Sequence, residues 1–70
     1  MPRYHFDLQH TEGMAYDPEG AIFPDPATAI EHAKRVIREL SESDPAYRGW
    51  TMVVLDEDRE VCRLRFAEIA

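Results

Sequence analysis

Three side chains near the start of the chain, His5, Asp7 and His10, are all of types that ligate metals. On a strand, residues two apart point to the same side, so His5 and Asp7 are neighbours. His10 falls in or beside the following turn and is not held to that side. Zinc sites repeat fixed spacings such as Cys-x-x-Cys or His-x-x-x-His, and neither spacing occurs here. His32 falls on a helix, away from the other two. A cluster without fixed spacing arises often by chance, so His5 and Asp7 are read as the outer face of a strand. No metal and no cofactor is assigned.

Other residues could do chemistry, and each has a plainer role. Asp56, Glu57, Asp58 and Glu60 suggest a calcium loop. An EF-hand opening at Asp56 needs Gly at its sixth position and Glu at its twelfth, and these are Val61 and Ala67. The run is read as a charged hairpin turn. Cys62 lies between apolar neighbours on an expected buried face, where desolvation raises a thiol's pKa and leaves it inert. No histidine is expected beside it to act as a base. Pro2 would carry a secondary amine if Met1 were removed, which is the chemistry of small N-terminal-proline tautomerases. In those enzymes the first strand runs directly into a helix, whereas here two turn signals and a return strand intervene. Arg3, Arg63 and Arg65 can form a positive strip suited to a carboxylate or a partner's acidic edge, balanced by Asp7. There is no Gly-rich phosphate loop and no G-x-S-x-G elbow.

The elements that must position these residues follow from periodicity. RYHFDLQ alternates: Tyr4, Phe6 and Leu8 face one way, and Arg3, His5, Asp7 and Gln9 the other. HTEG then turns the chain at Gly13. MAYDPEGAIF reads as a bent or broken return strand, because Asp17, Pro18 and Gly20 match the first, second and fourth positions of a type I turn. Asp25 and Pro26 mark a helix start as N-cap and first helical residue. Ala29, Ile30, Ala33, Val36, Ile37 and Leu40 form its apolar stripe, with Glu31 and Arg35 paired on the outside. Pro45 ends it. GWTMVVLDEDREVCRLRF reads as a hairpin, with Trp50, Met52 and Val54 on one face and Cys62, Leu64 and Phe66 on one face of its second strand.

The fold class expected is therefore α+β. It is a single domain over residues 1–70, of order β-β-α-β-β, with one amphipathic helix on one face of a mostly antiparallel sheet of three to four strands. The expected core is Tyr4, Phe6, Leu8, Ile30, Ala33, Ile37, Leu40, Trp50, Met52, Val54, Leu64 and Phe66. The other sheet face carries Arg3, His5 and Asp7, then Thr51, Val53 and Leu55, then Val61, Arg63 and Arg65. Val53, Leu55 and Val61 are apolar where a solvated face would be polar, which implies cover by a partner or a second copy.

Composition bounds the function. The chain has 70 residues, 44% hydrophobic and 31% charged, with a net charge of -6 and one cysteine. A chain of this size hides only about 60% of its unfolded surface, and an internal disulfide is impossible, so a partner would add needed stability. The acidic balance disfavours nucleic acid and anionic membranes. No apolar run reaches membrane-spanning length and no leader pattern opens the chain, so the expected location is the cytoplasm, where a lone thiol stays reduced.

MPRYHFDL at the start, DPEGAIFPD before the helix and GWTMVVLDEDREV after it together resemble a family of small bacterial proteins, domain-of-unknown-function family 6894, common in alphaproteobacteria such as rhizobia. The resemblance covers nearly the whole chain in order. It implies a free-standing cytoplasmic β-β-α-β-β protein and no particular activity. The chain departs from the pattern where an aromatic usually stands at His5, where Asp-Gly usually follows the first strand and here reads His10-Thr11-Glu12-Gly13, and where the second hairpin's usual Gly is Arg59. An Arg in that turn implies a different turn type or backbone strain.

The function expected is a non-enzymatic interaction module that self-associates through its open sheet face or an edge strand. The first alternative is a small-molecule or metal-binding protein using Arg3, His5, Asp7 and Arg63, and the remoter one is a Pro2-dependent tautomerase.

Overall fold

Strand β1, Arg3–His10, lies inside the sheet, with both of its edges paired. The computed structural model describes residues 2–69. On one edge, β1 pairs antiparallel with β4, Thr51–Asp56, bringing Tyr4, Phe6 and Leu8 opposite Asp56, Val54 and Met52. On the other edge it pairs with two short strands in turn. Gly13–Ala15, β2, covers its C-terminal half, and Ala21–Ile22, β3, covers its N-terminal end. Between them the segment from Tyr16 to Gly20 leaves the ladder. The broken return strand expected from DPEG is thus an interrupted edge. Strand β5, Arg59–Arg65, completes the order β2-β1-β4-β5, with β3 beside β2 on the same edge of β1.

Helix α1, Pro26–Ser43, covers one face. Both Thr28 N–H and Thr28 Oγ1 donate to Asp25 Oδ1 at 2.8 Å, so the N-cap acts as its sequence implies. These bonds favour the ionised carboxyl and hold its pKa below the ordinary value. The helix stops at Ser43, two residues before Pro45, with Asp44 in extended backbone, as the residue before a proline prefers. Asp44 then accepts from the Ala46 N–H at 2.9 Å and opens a 3-10 turn over Pro45–Gly49. On the outer face Glu31 meets Lys34 at 3.9 Å, one position short of the expected Arg35, in a contact too exposed to weigh much.

The core lies between α1 and the sheet. Tyr4, Ala29, Ala33, Ile37, Met52, Val54 and Phe66 are buried together, and Phe6, Leu8, Leu40, Trp50 and Leu64 pack partly buried against them. Ile30, expected in this core, is only half-buried and sits at the edge of the stripe. Phe66 opens a short helical turn, α2, over Phe66–Ile69, and stacks at 5.9 Å on Tyr47 from the 3-10 turn. Burial pushes the Tyr4 phenol up, reinforced by the charges of Asp56 and Asp25. Burial also pushes up the half-buried Cys62 thiol, opposite Val54, and Glu60 adds to the effect.

The turn between β4 and β5 differs from the expectation. Arg59 is an ordinary first residue of β5, paired with Asp56. The positive φ, 57°, falls on Glu57, the first of the two turn residues. A positive φ at that position alone is the sign pattern of a type II′ turn, which favours glycine there. The strain assigned to Arg59 therefore belongs two residues earlier.

Candidate functional site

The face of the sheet away from α1 holds most of the residues expected to interact, but it is not an open apolar surface. The strand register lines up Asp7, Val53 and Arg63 in one row and Gln9, Thr51 and Arg65 in the next. Arg63 donates through Nη1 to Gln9 Oε1 at 2.9 Å and through Nε to Glu60 Oε2 at 2.9 Å. Gln9 lies two strands away, roughly 9–10 Å at the ordinary interstrand spacing, so the Arg63 side chain must cross β4 to reach it. Val53 lies on that path and is only 4% exposed. Arg63 is the cross-strand neighbour of Val53, and a long basic stem reaching from there to Gln9 is of the kind that covers apolar surface.

Val61 behaves differently from Val53. Leu55 pairs with Glu60 and Val54 with Cys62, so Val61 is the extra residue of a β-bulge. It is half-buried and packs against the core cluster. Alternation counted through β5 breaks at this residue, and Val61 does not continue an apolar row with Val53 and Leu55. Leu55 is half-buried and Thr51 is half-buried. Arg65 is exposed, within 4.0 Å of Glu68.

Arg3, His5 and Asp7 converge on the loop from Tyr16 to Gly20. Arg3 Nη1 donates to the Glu19 carbonyl at 2.7 Å. His5 Nδ1 lies 2.6 Å from the Asp17 carbonyl oxygen, so that nitrogen carries the proton of the bond. Asp7 Oδ1 accepts from the Asp17 N–H at 2.9 Å. Asp17 reciprocates through its own carboxylate, which accepts from Phe6 N–H at 3.2 Å and Gly20 N–H at 3.1 Å. The loop interrupts the ladder beside β1, and these side chains occupy backbone groups that a continuous strand would have paired. Gly20 closes the loop at φ 66°; a Cβ there would sit 2.5 Å from the Tyr4 carbonyl oxygen and 3.0 Å from the His5 ring. Asp17 was legible only as a turn former; its reach back to β1 depends on which strand the turn lands against.

The three metal-ligand types of the N-terminal segment therefore do separate things. His10 lies beside the turn and not in it, as the last residue of β1, paired with Gly13. Its place in the alternation puts it on the helix side with Tyr4, Phe6 and Leu8, where its ring stacks on Trp50 at 4.3 Å and 21°. Its Nδ1 accepts from the Glu12 N–H at 3.3 Å. His32 packs against Phe6 and Phe23, with ring centroids 5.2 and 5.0 Å away. Among the described residues no group of His, Cys, Asp and Glu side chains is arranged to hold a metal ion.

Two features remain open to a partner. Among the described residues the exposed large apolar side chains, Met14, Tyr16 and Ile22, all belong to the interrupted edge. Met14 pairs with Gln9 and Ile22 with Arg3, so both lie on the face away from α1. Beside them a shallow cleft of about 310 Å³ separates the loop from the β4–β5 turn. His5, Asp7 and Leu55 line it from the sheet, Tyr16 and Asp17 from the loop, and Glu57 and Asp58 from the turn.

Among the described residues no helix is long and apolar enough to cross a membrane. No curated protein and no solved structure matches the chain. One family does match, described as Domain of unknown function (DUF6894), over residues 3–67. That span holds every strand, helix α1 and the loop latched to β1, so the chain belongs to the DUF6894 family.

Proposed function

We propose that this protein is a non-enzymatic interaction module that binds protein along the β2–β3 margin of its sheet, with a second copy of itself as the first partner to test. The observation carrying this reading is the grouping of Met14, Tyr16 and Ile22, exposed by 39%, 72% and 52%, on one interrupted edge. Apolar side chains beside free strand-edge groups suit the addition of an extended segment. The centre of the same face has less claim, because Val53 there is only 4% exposed and the neighbouring Arg63 is bonded across to Gln9.

Sedimentation velocity at micromolar concentrations tests the self-association. An associating species that Ile22→Lys and Met14→Lys dissolve supports it. A clean monomer whose behaviour neither substitution alters removes it. The alternative, a small-molecule or metal-binding protein using Arg3, His5, Asp7 and Arg63, has less support, since each of these side chains already bonds the loop or its neighbours on the sheet. Calorimetric titration with zinc or nickel that released heat in the wild type and none in His5→Ala would restore it.

A further inference from the structure

We propose that the cleft between the Tyr16–Gly20 loop and the β4–β5 turn binds one cationic side chain, a lysine ammonium or an arginine guanidinium, presented by a basic segment of a partner protein. The inference rests on the interaction reading only for the source of that side chain. Its chemistry comes from the cleft.

The first observation is Asp7. It is 8% exposed, yet forms no ion pair among the described residues. Its one hydrogen bond there, from the Asp17 N–H, goes to Oδ1 and leaves Oδ2 without a partner. A carboxylate is rarely so buried unless a cation or several donors compensate it. The nearest arginine across the sheet, Arg63 in the same row, is turned away to Gln9 and Glu60. Asp7 therefore opens Oδ2 to the cleft with no donor from the described residues on it.

The second observation is the rest of the lining. Glu57 and Asp58 add carboxylates from the opposite side, and no lysine or arginine lines the cleft. Tyr16 stands at its rim with its ring largely exposed, a surface on which a cation gains from the π face. Leu55 offers the apolar contact that the methylene stem of a lysine or arginine needs. A metal ion would need several ligands converging on one point, and the described residues do not supply them. A mixed site of buried carboxylate, exposed aromatic ring and aliphatic contact suits an organic cation.

The test is titration of the isotopically labelled protein with N-acetyl-lysinamide and N-acetyl-argininamide, followed by amide chemical shifts, with N-acetyl-norleucinamide as the neutral control. The expected result is saturating shifts at Tyr16, Leu55 and Asp58 with the cationic probes, weakened by added salt. Asp58→Lys and Tyr16→Ala, both at exposed positions, are expected to weaken binding at least fivefold without unfolding the protein. Absence of saturating shifts, equal binding of the neutral probe, or indifference to Asp58→Lys overturns the proposal. So does reproduction of the same shifts by calcium or magnesium alone. The probes are monomeric and the cleft holds neither Met14 nor Ile22, the two positions the sedimentation test substitutes, so their failure leaves the sedimentation result to stand or fall separately.

Discussion

The backbone N–H of Asp17 donates to Oδ1 of Asp7 at 2.9 Å, joining a surface loop to a buried carboxylate of strand β1. The bond stands in for a missing rung of the sheet, and the Asp17 carboxylate fills another by accepting from Phe6 N–H. Loop and strand hold each other, so damage on either side should be felt on both.

Asp17→Ala removes the acceptor for Phe6 N–H and Gly20 N–H together. Leaving part-buried donors unpaired costs about 1–3 kcal/mol, which lowers the unfolding midpoint by roughly 4–20 °C in a chain of this size. Limited proteolysis should then cut within the loop before any other site. Thermal unfolding that matches the wild type would show that the latch is dispensable. Gly20→Ala should be at least as damaging, because its Cβ meets the Tyr4 carbonyl oxygen and the positive φ disfavours any side chain.

Glu57 holds a positive φ that glycine adopts freely. Glu57→Gly should therefore raise stability, by about 0.5–1 kcal/mol after glycine's greater unfolded-state entropy is counted. Urea unfolding of the two proteins side by side checks the sign. A Glu57→Gly protein that unfolds earlier would mean that the Glu57 side chain supports the turn more than its backbone strains it.

Asp25 gives the acid side of stability a named contributor. Its carboxyl pKa is lowered from the ordinary 3.8 by the Thr28 N–H and hydroxyl bonds. A group whose pKa is depressed on folding stabilises the native state above its unfolded pKa. That contribution fades as pH falls from about the ordinary value down through the lowered one. Asp25→Asn keeps a capping oxygen without the titration. The stability difference between wild type and Asp25→Asn should be constant above this window and shift in favour of the variant within it. Parallel pH profiles down to acid would disprove the assignment.

Arg63→Ala removes the side chain that crosses β4 beside Val53 and is expected to uncover it. The variant should stay folded and become more prone to associate through this face, read as a rise in apparent mass on size exclusion. Arg63→Ala/Val53→Thr should return the mass to the wild-type value. If Arg63→Ala alone leaves it unchanged, Val53 is shielded by something other than Arg63.

Much of the fold was legible because its rules act over a few residues. Alternation assigned Tyr4, Phe6 and Leu8 to the helix side, and Asp25-Pro26 and Pro45 bracketed the helix. Asp17-Pro18-Glu19-Gly20 marked the place where the return strand breaks. The candidate surface was less legible. Its residues were named correctly by face in β1 and β4, but period two does not report what a neighbouring side chain covers, nor does it survive the bulge at Val61.

The sequence by itself determined where helix α1 begins and ends, where the strands of the two hairpins lie and which way most of their side chains point, since caps, turns and alternation depend on near neighbours in the chain; it carried the last strand on to Phe66, which instead opens α2. Only the tertiary structure decided that Arg63 reaches Gln9 from 54 positions away, that His10 stacks on Trp50, and that Asp7 and Asp17 tie the loop to the sheet. Those outcomes depend on strand order and on the reach of side chains between strands, and neither is encoded in local spacing.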